Sequence, residues 1–258
     1  MSKQLYCLKI GGSVVSDKAV PYKAKKAVIR GIARSIKECN QQLMIAHGSG
    51  SFGHTSATIY GGKNGYTDRW GIAKVSRDAQ EINRIVMDIF VEEKLPAISF
   101  SPRSFILTNK AKPQKYFFDP IDEALKQGLL PVVYGDVIWD TTQKTTILSG
   151  ETILNLFCKQ TDPKKYSISK IIELCNVAGV LDGEKRVIPE INKKNWGEVK
   201  QYLKALAVAD VTGGMEHKIE DALEMTSYGI ETWIVKGTKR TNVKELLEGT
   251  DMKGTIIR

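Results

Sequence analysis

The feature that most constrains the fold of this chain is a regular alternation of short apolar segments with longer segments of helical period. Residues 5–10 are almost continuously apolar, as in a central strand that is covered on both faces. Residues 23–38 carry an apolar side chain at every fourth position from Ala24 to Ile36, which predicts an amphipathic helix. Residues 43–46 form the next apolar segment, so the chain begins with a strand, a helix and a second strand.

The alternation continues to the end of the chain and predicts an α/β protein with a largely parallel sheet between helical layers. A Thr-Thr-Gln-Lys turn within residues 137–148 predicts a hairpin, and residues 60–70 are predicted to be irregular or a lid. Thr161-Asp162-Pro163 predicts a boundary between two lobes. The other predicted strands are residues 96–100, 129–134, 168–175, 231–235 and 254–258, and the other predicted helices are one that begins at Asp119-Pro120, one capped by Ser149 over residues 151–159, and residues 72–89, 196–206, 215–228 and 242–247.

Composition and charge narrow the possible functions. The chain has 258 residues, and it has neither a signal-type segment near Met1 nor the roughly 20 consecutive apolar residues of a membrane span. We therefore expect a cytoplasmic protein without a membrane partner. The net charge of +9 comes from lysines and arginines spread along the chain without a recognition motif, which disfavours a nucleic-acid partner. Four widely spaced cysteines without a C-x-x-C pair predict buried, reduced thiols and no cysteine-based metal site.

Three glycine-rich corners stand out, and they are the candidate anion-binding elements. A backbone with few side chains can turn its N–H groups onto an anion, although glycine is also common in ordinary turns. The corners are Gly11-Gly12-Ser13 after the first strand, His47-Gly48-Ser49-Gly50-Ser51-Phe52-Gly53-His54 after the second, and Gly213-Gly214 before a late helix.

The second corner is the most informative, because two of the three histidines in the chain bracket it. We expect a loop that leaves the carboxyl end of a buried strand, where open α/β sheets place their ligands. His54 is the candidate hydrogen-bond donor to a bound phosphate, with a purely structural role as the alternative. His47 is expected to anchor the loop, and His217 is expected to lie on the surface.

Two lysines accompany these corners, Lys9 just before the first and Lys218 four residues after Gly214. A lysine near a helix amino terminus adds a full positive charge to a site that already attracts anions. The chain has no G-x-x-x-x-G-K-[ST] sequence and no H-R-D or D-F-G signature, so a phosphate-handling enzyme of this sequence must use another fold.

The motifs together resemble the amino acid kinase superfamily, and within it the isopentenyl phosphate kinase family. The resemblance implies an αβα sandwich, an amino-terminal lobe over residues 1–160 for the phosphate acceptor, a carboxyl-terminal lobe over residues 161–258 for Mg-ATP, and a homodimer. It also implies transfer of the ATP γ-phosphoryl group to isopentenyl phosphate. The motifs that carry it are Leu8-Lys9-Ile10-Gly11-Gly12-Ser13, residues 47–54 with their second histidine, Val132-Val133-Tyr134-Gly135-Asp136-Val137, and Asp210-Val211-Thr212-Gly213-Gly214-Met215 with Lys218.

The resemblance also implies a role for individual residues. The catalytic set is Lys9, Lys18, His54 and Lys218. The nucleotide-binding set is Gly11, Gly12, Ser13, Asp182, Thr212, Gly213, Gly214 and Met215. The acceptor-binding set is Gly48, Ser49, Gly50, Gly53, His54, Gly150 and Glu151, with Val86, Phe90 and Ile147 as candidate contacts for the apolar chain of the acceptor. Mg²⁺ is expected with ATP, and no protein side chain is assigned to the metal.

Two segments depart from the family pattern. Glu151 stands where the family usually has an aspartate that organises the two lysines, and it keeps the charge while adding one methylene. Residues 175–180 lack two carboxylates that the family usually has near the nucleotide. Three alternatives therefore stay open: a related phosphonate or phosphate kinase such as a fosfomycin kinase, a non-catalytic nucleotide or phosphate sensor, and a nucleic-acid binder.

Overall fold

The structure is a computed structural model that describes residues 2–61, 66, 68–207, 214–250 and 253–258, the side chains of residues 204–207 excepted. Strands and helices alternate along the chain, as the apolar pattern predicts. The described strands are β1 (Lys3–Gln4), β2 (Tyr6–Ile10), β3 (Leu43–His47), β4 (Ala97–Phe100), β5 (Ile106–Asn109), β6 (Lys112–Tyr116), β7 (Leu130–Tyr134), β8 (Asp136–Asp140), β9 (Lys144–Leu148), β10 (Tyr166–Ser167), β11 (Lys170–Cys175), β12 (Glu190–Ile191), β13 (Glu231–Lys236) and β14 (Gly254–Ile257). The described α-helices are α1 (Gly12–Val15), α2 (Lys26–Lys37), α3 (Gly50–Tyr60), α4 (Arg69–Glu92), α5 (Asp119–Lys126), α6 (Gly150–Gln160), α7 (Trp196–Ala207), α8 (Gly214–Met225) and α9 (Val243–Glu248).

An eight-stranded sheet forms the centre of the protein, with the strand order β12-β14-β13-β11-β2-β3-β7-β4. Its neighbouring strands are parallel except for the antiparallel pair β13 and β14. The largely parallel sheet is therefore confirmed. The sheet runs across the predicted boundary at residue 161, and the division into two lobes stays a prediction.

Helical layers cover both faces of this sheet, because successive side chains of a strand point to opposite faces. Leu8 and Ile10 of β2 pack in a cluster with α2, α4 and α9, whereas Cys7 packs on the other face with α5 and α6. Every one of these three side chains has no exposed surface. The three-layer αβα sandwich that the resemblance implies is confirmed.

A second, four-stranded sheet has the order β6-β5-β8-β9. The predicted hairpin is confirmed as β8 and β9, whose antiparallel register joins Asp136 to Leu148. The strands β5 and β6 were not predicted. Lys112-Pro113-Gln114-Lys115-Tyr116 is mostly exposed and lacks the alternation of apolar and polar residues by which a strand is recognised.

Several local predictions can be compared with the structure. Residues 47–54 do not form a loop throughout, because α3 begins at Gly50; its small residues give no apolar stripe, so the pattern indicated a loop. Of the predicted irregular segment, residues 62–65 and 67 lie outside the described residues. The four cysteines are free thiols, and Cys39 alone among them is only half-buried. Among the described residues, no helix is long and apolar enough to cross a membrane.

Candidate active site

The first two glycine corners meet at the carboxyl edge of the sheet, because β2 and β3 are adjacent parallel strands. Their backbones are in direct contact. A methyl group at Gly12 would lie 2.8 Å from the Gly50 nitrogen, and one at Gly48 would lie 2.7 Å from the Gly12 nitrogen. A methyl group at Gly150 would lie 2.6 Å from the His47 carbonyl oxygen. Close packing between the corners therefore requires glycine at these positions, independently of any ligand.

A buried serine fastens the two corners together. Ser16, which has no exposed surface, donates from its hydroxyl to the Gly12 carbonyl oxygen at 2.9 Å and accepts from the Ser51 backbone N–H at 2.8 Å. Gly50 takes a positive φ of +53°, which glycine adopts at little cost, at the start of α3. The Ser51 hydroxyl is buried at this junction and has no hydrogen-bond partner. Sequence reasoning did not single out Ser16, since a lone serine carries no motif.

Two lysines and two glutamates form a closed network beside these corners, and we call it the lysine–glutamate network. Lys9 Nζ lies 2.8 Å from Glu151 Oε2 and 3.4 Å from Glu173 Oε2. Lys218 Nζ lies 2.6 Å from Glu173 Oε2 and also contacts Glu151 Oε2. Each carboxylate thus accepts from both ammonium groups, and the four formal charges sum to zero.

The sheet and two helices bring the network together. Lys9 of β2 is paired in register with Glu173 of β11, so both side chains point to the same face of the sheet. Ser149 caps α6 by accepting from the Thr152 N–H at 3.0 Å, which confirms the predicted cap. Glu151 therefore lies in the first turn of α6, where a negative charge is favoured by the helix dipole. Glu173 was missed by sequence reasoning, although a charged residue inside the apolar run from Ile171 to Cys175 is a usable signal.

The network holds its charges despite its burial. Burial alone would lower the pKa of Lys9, but the Glu173 and Glu151 carboxylates raise it well above its usual value. Burial would likewise raise the pKa of Glu151, but the charges of Lys9 and Lys218 lower it to about 2. All four groups are therefore ionised at neutral pH. Buried charges without such partners would be expensive, because transfer out of water penalises an ion heavily.

The two histidines of the second corner lie in different environments. His47 is fully buried, with Nδ1 3.0 Å from the Gly48 carbonyl oxygen, Nε2 3.1 Å from Asn83 Oδ1, and its ring stacked on Tyr134 at 5.8 Å. Burial lowers the pKa of His47. These contacts agree with the expected anchoring role. His54 is exposed in α3, so its ring is available to a ligand.

The sequence profile of the amino acid kinase family matches residues 5–236. The chain belongs to this family. Similar relatives include the isopentenyl phosphate kinases of Methanocaldococcus jannaschii, 32% identical over 98% of both chains, and of Methanothermobacter thermautotrophicus, 30% identical over 97% of both. A solved structure described as isopentenyl phosphate kinase superposes with a TM-score of 0.82 at 27% identity, covering 99% of this chain and 100% of that one. The resemblance inferred from the motifs is confirmed.

For this amino acid kinase, the structure brings only part of the expected nucleotide side into view. Thr212 and Gly213 lie outside the described residues. Gly214 begins α8, the helix that carries Lys218, and Met215 packs partly buried against the carboxyl-terminal core. Asp182 accepts from the Arg186 backbone N–H at 2.9 Å, and this bond together with the Arg186 side chain lowers its pKa. The carboxylate of Asp182 is thus already used within its own turn.

The three candidates for apolar contacts with an acceptor lie in two different clusters. Val86 and Phe90 of α4 have no exposed surface and belong to the central core. Ile147 of β9 instead packs against Val75 and Val137, in a small cluster that also includes Ala57 and Tyr60 of α3, Tyr66 and Ile72. The structure therefore places Ile147, and not Val86 or Phe90, beside the helix that carries His54.

The remaining candidates lie on the surface or at the edge of the site. Lys18 is exposed on the loop after α1. A methyl group at Gly53 would lie 2.4 Å from Ser49 Oγ, so the first turn of α3 is itself tightly packed. The side chain of His217 is 80% exposed and lies 3.7 Å from Glu220, which agrees with the expected surface position.

Proposed function

We propose that this protein transfers the γ-phosphoryl group of ATP to isopentenyl phosphate, giving isopentenyl diphosphate and ADP. The observation that carries the proposal is the lysine–glutamate network beside the contacting glycine corners. Relatives named isopentenyl phosphate kinase, similar over nearly the whole chain, support the choice of acceptor.

The chemistry of an alkyl phosphate suits a site without a general base. Its second pKa is about 6, so the acceptor is already mostly a dianion near pH 7 and can attack ATP directly. The main obstacles are repulsion between two anions and the alignment of the reacting groups. Lys9 and Lys218, held at a fixed separation by shared carboxylates, would supply positive charge where the phosphoryl group is transferred.

The glycine corners and His54 would divide the phosphates between them. Backbone N–H groups at Gly11, Gly12 and Ser13 would bind the terminal phosphates of ATP, and Gly214 and Met215 would lie on the nucleotide side. The α3 amino terminus would attract the phosphate of the acceptor, with Gly48, Ser49, Gly50 and Gly53 around it and His54 as an exposed donor.

Mg²⁺ would enter with ATP and neutralise part of the phosphate charge. Among the described residues, no group of three or more His, Cys, Asp or Glu side chains could hold a metal ion. Glu151 and Glu173 are both engaged by lysines. The protein side of the site thus offers no cage for the ion, and the proposed mechanism takes its steps from the lysines, the histidine and the backbone.

The apolar cluster of Ile147, Val75 and Val137 would receive the five-carbon chain of the acceptor. It lies alongside α3, which carries His54 and, one turn later, Ala57. A phosphate held by His54 would leave the chain of the ligand next to this cluster. The homodimer and the cytoplasmic location implied by the sequence stay predictions.

A coupled ADP-release assay tests the proposal, with isopentenyl phosphate, dimethylallyl phosphate, fosfomycin and acetylglutamate as acceptors. Turnover of the first two is expected, and its absence would refute the proposal. Preferred turnover of fosfomycin would indicate a phosphonate kinase, and ATP binding without any transfer would indicate a sensor.

Replacing His54 separates the acceptor side from the nucleotide side. The variant His54→Ala should raise the KM for isopentenyl phosphate and lower kcat, while the affinity for ATP stays nearly unchanged. His217→Ala is the matched control, because His217 is an exposed histidine on another helix. An equal loss of affinity for both substrates in His54→Ala would mean that the histidine acts on the structure of the loop.

A further inference from the structure

The loop that carries Lys18 is closed at its base by main-chain pairing. Ser16 and Ala24 form an antiparallel bridge, and the Asp17 N–H donates to the Lys23 carbonyl oxygen at 2.9 Å. This base sits on the junction between the first two glycine corners, since Ser16 joins both of them. Lys18 lies near the exposed tip of this loop. The base alone does not fix where the tip points.

Tyr22 ties the tip of the loop to two helices. Its hydroxyl donates to Asp78 Oδ2 of α4 at 3.0 Å, and its ring meets Phe52 of α3 edge-on at 5.7 Å. Lys74 donates to the same carboxylate at 2.6 Å and lies over the Tyr22 ring at 5.0 Å. Three groups from the loop and α4 therefore meet at one carboxylate, which we call the Tyr22 latch.

The conformation of Tyr22 indicates that this contact is built into the loop. Its φ of +58° lies in the left-handed region, which a bulky aromatic residue rarely adopts. Such a conformation persists only where surrounding contacts determine it. Core packing does not demand it, because Tyr22 is 42% exposed. Asp78 is only 6% exposed, so its carboxylate depends on the two donors that reach it.

We propose that Tyr22, Lys74 and Asp78 are positioning residues that hold Lys18 over the phosphoryl-transfer site. The inference rests on the proposed function, which assigns Lys18 to the transferring phosphates. The latch fixes the loop against α3 and α4, the helices that carry the acceptor histidine and the apolar cluster. The loop tip thus has one fixed orientation relative to both glycine corners, and Lys18 acts from it without rearrangement.

A double-mutant cycle between Tyr22→Phe and Lys18→Ala tests the proposal. Loss of the single hydroxyl hydrogen bond should lower kcat for isopentenyl phosphate by about fivefold, with the KM for ATP nearly unchanged. In the Lys18→Ala background, Tyr22→Phe should cause no further loss, because both variants remove the same contribution. Tyr228→Phe is the matched control, as Tyr228 is exposed on another part of the chain. Fully additive losses, or an unchanged kcat in Tyr22→Phe, would overturn the proposal.

Trypsin cleavage after Lys18 tests the latch without any substrate. Tyr22→Phe should be cleaved about fivefold faster than the unmodified protein at equal melting temperature, as measured by mass spectrometry. Equal cleavage rates would overturn the proposal. If the unmodified protein does not turn over isopentenyl phosphate, the proposed function fails, and this cleavage rate still decides whether Tyr22 holds the loop.

Discussion

Replacing Glu173 by glutamine tests whether the lysine–glutamate network organises the site. Glu173 is 2% exposed, and one of its oxygens lies 2.6 Å from Lys218 Nζ and 3.4 Å from Lys9 Nζ. Glutamine keeps the shape of the side chain and one acceptor oxygen but removes the charge. The network would then carry a net charge of +1, with Glu151 as the remaining counter-ion of both lysines.

The expected loss of stability follows from opposing terms. With an effective dielectric constant of about 20, unit charges at these separations attract by about 6 and about 5 kcal/mol. Dehydration of the ions offsets several kcal/mol of this attraction, and breaking a buried ion pair costs a net ~3–5 kcal/mol. Because Glu151 still contacts both lysines, we expect a value near the lower end, about 3 kcal/mol. For a chain of this size, that corresponds to a fall in melting temperature of roughly 6–12 °C.

Activity should fall more steeply than stability suggests. With one carboxylate removed, Lys218 is no longer held between two fixed partners, and misplacement of a transition-state charge costs roughly 10² to 10³ in kcat. Thermal melting and the ADP-release assay measure the two effects. Glu224→Gln is the matched control, because Glu224 pairs with Lys159 at an exposed position and should change neither quantity appreciably. A Glu173→Gln protein that melts within about 1 °C of the unmodified protein and keeps its kcat would refute the network as an organising element.

Two further predictions concern backbone packing and acid stability. Gly48→Ala should destabilise the protein by about 1–3 kcal/mol and lower turnover, since its methyl group would lie 2.7 Å from the Gly12 nitrogen, whereas Gly197→Ala, with open space around it, should be neutral in thermal melting. For Glu151, the folded-state pKa of about 2 lies below its usual value of 4.5, so its contribution is complete above about pH 4.5 and is lost as the pH falls towards 2. Urea unfolding across this range should show a stability loss of roughly 3 kcal/mol that is absent in Glu151→Gln; the same slope in both proteins would contradict the assignment.

Much of the central sheet could be predicted because its signals are local. The apolar runs of β2, β3 and β7 and the helical period of α2 and α4 lie within short windows of sequence. Parallel neighbours then bring their carboxyl ends to one edge, which predicts that the first two glycine corners meet. The contact between Gly12 and Gly48 agrees with this expectation.

Other features depend on contacts that sequence patterns do not encode. The period of α4 predicts which residues are buried, but Val86 and Phe90 face the central core while Val75 faces the small cluster beside α3. Periodicity alone cannot distinguish two buried directions on a long helix. Glu173 required knowledge that β11 is the neighbour of β2, because only that pairing places it opposite Lys9.

The longer side chain at position 151 bears on why the lysine–glutamate network suits phosphoryl transfer. From the first turn of α6, Glu151 reaches both Lys9 and Lys218, so the added methylene does not break their shared contact. The two lysines are therefore held in place before any phosphate arrives, each by carboxylates that a phosphate oxygen can replace. Since the ammonium groups need no large reorganisation when negative charge develops between them, the network supplies fixed electrostatic stabilisation at the moment of transfer. The glutamates contribute by holding the lysines, while the lysines supply the charge.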